Sequence, residues 1–144
     1  MAFPITPGSP STASKEIFNQ TVTATLAAWT PQVGMERYTS AEFFISVASV
    51  TGSTPLFDIY IQTLLADGST WQDLVHFTQI TTTATERAFF VTSAATATAA
   101  VQTAALAAAT IKTGISLGHT IRVHVVAAGT TPSALIKAYG SFYE

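Results

Sequence analysis

The chain has 144 residues, 48% of them hydrophobic and only 10% charged against about 25% in an ordinary soluble domain, with a net charge of −2 and no cysteine. That length supports one domain with its own core, and the missing cysteines exclude disulfides, a thiolate-held metal and a thiol nucleophile. Six Lys and Arg, scattered singly from Lys15 to Lys137, form no basic stripe and exclude tracking of a nucleic-acid backbone.

The chain opens with MAFPITPGSPSTASKE, in which Pro4, Pro7 and Pro10 forbid a regular hydrogen-bonded ladder and predict an extended arm over residues 1–16. The opening has no basic start followed by an apolar core, so no secretion signal is expected, and no membrane span either. From Ile17 the text is strand-like: Val22, Ala24 and Leu26 alternate with Thr21, Thr23 and Thr25 until TPQVG at Thr30–Gly34 breaks the run. Phe43, Ile45 and Val47 then share one strand face, and Phe57, Ile59 and Ile61 share another, with VTGSTP between them as a hairpin or a sandwich corner. Gly52 supplies a positive φ there, and Pro55 opens the next strand where its missing N–H does no harm. Asp67-Gly68 marks a tight hairpin, and Leu74 to Ile80 completes a meander with Leu74, His76 and Thr78 facing away from Val75 and Phe77.

RAFFVTS reads as a further strand, after which residues 94–112 form an Ala/Thr-rich insertion. Alanine favours helix and threonine opposes it; extended structure packed closely on a neighbour is expected, with a short helix as the alternative. Clean alternation returns at Ile121, Val123 and Val125 and again at Leu135, Lys137 and Tyr139, separated by AAGTTP, a second copy of the earlier turn with Gly129 and Pro132 in place of Gly52 and Pro55. Two comparable strand–turn–strand pieces predict an all-β domain over residues 17–144, a β-sandwich of jelly-roll-like topology with an extended arm ahead of it.

The residues that carry chemistry are few. No Gly-x-Ser-x-Gly elbow is present, so Ser, His and Asp assemble no recognisable triad, and no Gly-rich phosphate loop occurs. His76, His119 and His124 lack ligand spacing, and strand histidines of this kind serve structure more often than metals. Asp67 and Asp73 are the closest acids and sit beside a tight turn, where turn chemistry accounts for them. ADGSTWQDL approaches the Asp-box hairpin of sialidase-like propellers but is one residue short between Asp67 and Thr70. Trp71 is expected to cover its hairpin; an aromatic sugar platform of Trp71, Tyr60 and Trp29 is the competing reading. No catalytic, cofactor-binding or metal site is expected.

The succession ISVASVTGSTPLFDIYIQT, DGSTWQDLVHFTQI and LGHTIRVHVVAAGTTP, from about Glu42 to Pro132, resembles small β-rich structural proteins of tailed bacteriophages, above all head decoration (cement) proteins. The resemblance rests on Gly52, Pro55, Asp67, Gly68, Trp71, Gly118, Arg122, Gly129 and Pro132 as structural turn residues. It implies a non-enzymatic virion protein on the capsid surface, made in the host cytoplasm. Its partners would be the major capsid protein and its own copies in a homotrimer, with no nucleic acid, membrane or cofactor. The alternative under the same resemblance is a tail, baseplate or fibre component with a carbohydrate-binding sandwich. Phe3, Ile5, Phe142 and Tyr143 are the apolar candidates for contact with capsid or sister subunits, set against packing on their own domain.

Overall fold

The structure is a computed structural model and describes residues 12–25, 31–91, 105–112 and 115–144. Seven strands appear in chain order: β1 (Thr12–Val22), β2 (Gln32–Val33), β3 (Ser40–Leu64), β4 (Trp71–His76), β5 (Ala84–Val91), β6 (Thr110–Ile111) and β7 (Thr120–Tyr143). Two of them dominate. β3 has 25 residues and β7 has 24, and they pair antiparallel from Ser40–Tyr143 at one end to Thr63–Ile121 at the other.

A straight strand of 24 residues would run roughly 80 Å. Instead the Met35 N–H donates to His119 O (3.0 Å), just ahead of β7, while the Thr39 N–H donates to Tyr143 O (2.8 Å), the last residue of β7. Residues 35 and 39 are separated by at most about 14 Å of chain. The two ends of β7 therefore lie side by side, and the strand must fold back on itself midway.

The fold-back occurs at the two repeated turns, which face each other. Ser53 pairs with Thr130, and the ladder shifts register on both sides of that pair. Gly52 and Gly129 take φ of 113° and 106°, and Thr54 and Thr131 take 48° and 47°. Each threonine in the left-handed region gives its hydroxyl to the preceding carbonyl, Thr54 to Ser53 O at 2.7 Å and Thr131 to Thr130 O at 2.8 Å. Glycine is needed twice over. A Cβ on Gly52 would stand 2.7 Å from Thr131 O, and one on Gly129 would press on Thr54 O.

Of the two expectations for GSTP and GTTP, the corner is correct and the hairpin is not. β3 and β7 pass through the corner together, so one hydrogen-bonded sheet of seven strands is folded into a sandwich of two layers. The first layer runs β1, the second half of β7, the first half of β3, then β5. The second runs β2, the first half of β7, the second half of β3, β4, then β6. The all-β, sandwich-like class expected from the sequence holds.

The alternation read from sequence sets the core. Phe43, Ile45 and Val47 bury with Ile136, Ala138 and Phe142 in one layer; Phe57, Ile59 and Ile61 bury with Ile121, Val123 and Val125 in the other. Phe18, Phe90 and Leu117 complete one contiguous cluster. Phe43 meets Phe142 edge-on at 5.9 Å, and each buried side chain of this size contributes about 1.5–3 kcal/mol.

Three boundaries differ from expectation. The arm predicted over residues 1–16 gives way earlier, because Thr12–Glu16 already pair with Tyr143–Tyr139 in β1; the ladder of β7 supplies partners that local sequence does not reveal. Residues 1–11, and Leu26 in the strand-like run that follows, lie outside the described residues. The strand expected over Leu74–Ile80 is β4, ending at His76, with Ile80 forming a lone bridge to Phe57. A bulge also places Leu74 and Val75 both inside, which reverses the facing assigned to Leu74. Residues 94–104 of the Ala/Thr tract lie outside the described residues, and 105–112 cover β4 without a helix, turning at Ala108–Ala109 into the two-residue strand β6.

Candidate functional site

The outer side of the second layer gathers Gln62, Asp73 and His76, three of the buried polar residues among those described. Asp58, Tyr60 and Gln62 alternate with the core residues of β3. Across the ladder they meet Arg122 and His124 on β7 and Asp73 and His76 on β4. Tyr60 stacks on His76 with ring centroids 4.0 Å apart, and His124 leans in at 5.8 Å. The His76 Nδ1–H donates to Leu106 O at 2.6 Å, and its Nε2 lies 3.0 Å from Asp58 Oδ1.

Beside this pair, Gln62 Nε2 donates to Asp73 Oδ1 (2.8 Å), and Arg122 Nε donates to Gln62 Oε1 (2.8 Å). The Leu106 N–H donates to Asp73 Oδ2 (2.9 Å). Arg122 lies over the Trp71 ring at 4.1 Å. Burial lowers the pKa of the Arg122 guanidinium against the pull of Asp73, and burial followed by Asp58 and Asp73 raises that of the Tyr60 phenol.

Asp73 and His76 thus hold the two polar groups of one residue, Leu106, and so clamp the 105–112 segment onto β4. Lys112 N–H to Leu74 O (2.8 Å) and the β4–β6 pairing fasten its far end. The groups in this network are engaged with one another and with backbone. No group of three or more His, Cys, Asp or Glu suited to a metal ion occurs among the described residues. No helix among them is long and apolar enough to cross a membrane.

The residues expected from sequence fall in several places. Gly52, Pro55, Gly129 and Pro132 build the corner. Asp67 and Gly68 make the β3–β4 turn, with Asp67 Oδ1 accepting from the N–H groups of Ser69 (3.0 Å) and Thr70 (2.9 Å), and Oδ2 accepting from the Thr70 hydroxyl. The Thr70 hydroxyl, then the two N–H groups, lower the pKa of the Asp67 carboxyl to about 2. Gly118, at φ 77°, lies against the Thr63 side chain. Trp71 is half-buried and carries Arg122 over its ring, Tyr60 is 7% exposed and so has little ring face to offer a sugar, and Trp29 lies outside the described residues. Phe142 is 0% exposed within its own core and has no surface to offer a partner, which corrects its assignment as a contact residue. Tyr143 is half-buried at the end of β7, and Phe3 and Ile5 lie outside the described residues.

The clamp itself was not expected. Its signal in the sequence is the polar face Asp58, Tyr60, Gln62 opposite Arg122 and His124, but Leu106 comes from a tract with no motif. No family model, curated protein or solved structure matches the chain.

Proposed function

We propose that the protein is a non-enzymatic component of a tailed-phage particle, a head decoration protein that binds the outside of the capsid as a homotrimer and bridges capsid subunits. The observation that carries this reading is the disposition of charge. Only 10% of the residues are charged, and some of these are paired within the chain, Arg37 with Glu144, Arg87 with Glu42 and His119 with Glu36, while Glu86 bonds Thr78 and Arg122 bonds Gln62. A surface with so few charges has little long-range field, so recognition rests on close packing, in keeping with interface cores poor in Lys and Glu. The folded sheet adds rigidity, since both long strands turn at one interlocked corner and their ends are tied together. A small rigid body repeated over a shell stabilises it through many modest contacts. The order of turns from Glu42 to Pro132 supports the phage setting by resemblance.

The test is immunogold electron microscopy, with mass spectrometry, on purified particles of the phage whose genome carries this sequence. Label over the head shell is the expected result. Label confined to the tail would move the role to the tail or fibre, and absence from the particles would overturn the proposal.

A further inference from the structure

Exchanging β3 with β7 carries one half of the molecule onto the other. Gly52 and Thr54 fall on Gly129 and Thr131, and β4 falls on β1. The β3–β4 pairs Gln62–Asp73, Ile61–Val75 and Tyr60–His76 correspond to the β7–β1 pairs Tyr139–Glu16, Ala138–Phe18 and Lys137–Asn19. Even the bulge recurs, at Leu74 in β4 and at Ile17 in β1, with both residues buried. Glu16 therefore stands where Asp73 stands, and Asn19 where His76 stands.

Asp73 and His76 act as a carboxylate acceptor and a side-chain N–H donor, gripping the N–H and C=O of Leu106. Glu16 and Asn19 supply the same two functions at the same register, on the equivalent side of the other layer. Both are exposed, and they touch each other only through long 3.4 Å bonds from Asn19 Nδ2 to the Glu16 carboxylate.

We infer that Glu16 and Asn19 form a second backbone clamp, and that its occupant is the Phe3–Thr6 stretch of a second copy of this chain. The clamp asks for one residue with a free N–H and C=O in an extended segment, carrying an aliphatic side chain as Leu106 does. Ile5 meets that description, and Pro4 and Pro7 bias its surroundings toward extended backbone while being unable to join a ladder. β1 runs from Thr12 past Glu16 to Val22, so an Ile5 of the same chain would have to reverse direction to reach the clamp, whereas one from a neighbouring copy needs no reversal. Head-to-tail delivery of this kind closes into a ring when the rotation allows, as in a trimer.

Two full-length variants test this by light scattering. Ile5→Pro removes the N–H the clamp would hold, and Glu16→Ala/Asn19→Ala removes the clamp at two exposed positions outside the core cluster. Each variant alone is expected to fall from the assembled mass to that of a single chain that still unfolds in one cooperative transition. Mixed together, one intact clamp and one intact Ile5 should restore a two-chain species. Unchanged masses in the single variants, a wild-type protein that is already a single chain, or a mixture that stays at the single-chain mass would each overturn the inference. The assay uses purified protein alone, so its failure is distinct from absence of label on phage heads.

Discussion

Gly129 and Gly34 both hold positive φ, 106° and 78°, but only Gly129 has a carbonyl where a Cβ would go; around Gly34 nothing lies within 4 Å. Gly34→Ala should therefore cost only the backbone strain, about 1 kcal/mol, whereas Gly129→Ala should cost about 3 kcal/mol or more by forcing the corner apart. Urea denaturation of the two variants reads the difference directly, and equal losses would mean that the corner is not interlocked. Asp67 gives a second test at this scale. Its folded carboxyl, lowered to about 2 from an ordinary 3.8, contributes stability that is complete above the ordinary value. That contribution fades as the pH falls from about 4 toward 2, and Asp67→Asn should remove this acid-sensitive part. A carboxyl titration followed by NMR should place the midpoint near 2.

Among the elements, the segment over β4 depends on Asp73 more than on its own sequence. Asp73→Ala leaves the Gln62 amide and the Leu106 N–H without their acceptor, an expected loss of about 2–4 kcal/mol, with faster hydrogen exchange at Leu106 before the β3 and β7 amides change. Exchange at Leu106 equal to that of the wild type would contradict the clamp. The strands themselves were legible because alternation is local: Phe43, Ile45 and Val47 bury as their spacing says, and Asp67-Gly68 turns where its chemistry requires. The corner was half legible. Gly52 and Gly129 announce a turn, but that the two turns meet is a fact of pairing between distant segments. The clamp was not legible, because Asp58 on β3 joins Asp73 and His76 on β4 only once the strands pair, and what they hold is a backbone group whose position no side-chain pattern encodes. Leu74 misled for a related reason: a bulge shifts facing by one residue without leaving a mark in composition.

For the whole molecule, the two layers are one sheet folded at one corner, and the pairing and bulge of β4 on β3 repeat in β1 on β7. A body of this kind offers two equivalent sites, of which the second layer's is filled by the chain's own Leu106 and the first layer's is open to a neighbour. Because only 10% of the residues are charged, association between copies should change little between low and high salt, in contrast to an electrostatically steered complex. The most direct measurement is the solution mass of the full-length protein by light scattering across a dilution series. A species of three 15.1 kDa chains that persists on dilution is the expected result; a single chain at every concentration would contradict the account of a bridging, self-assembling capsid protein.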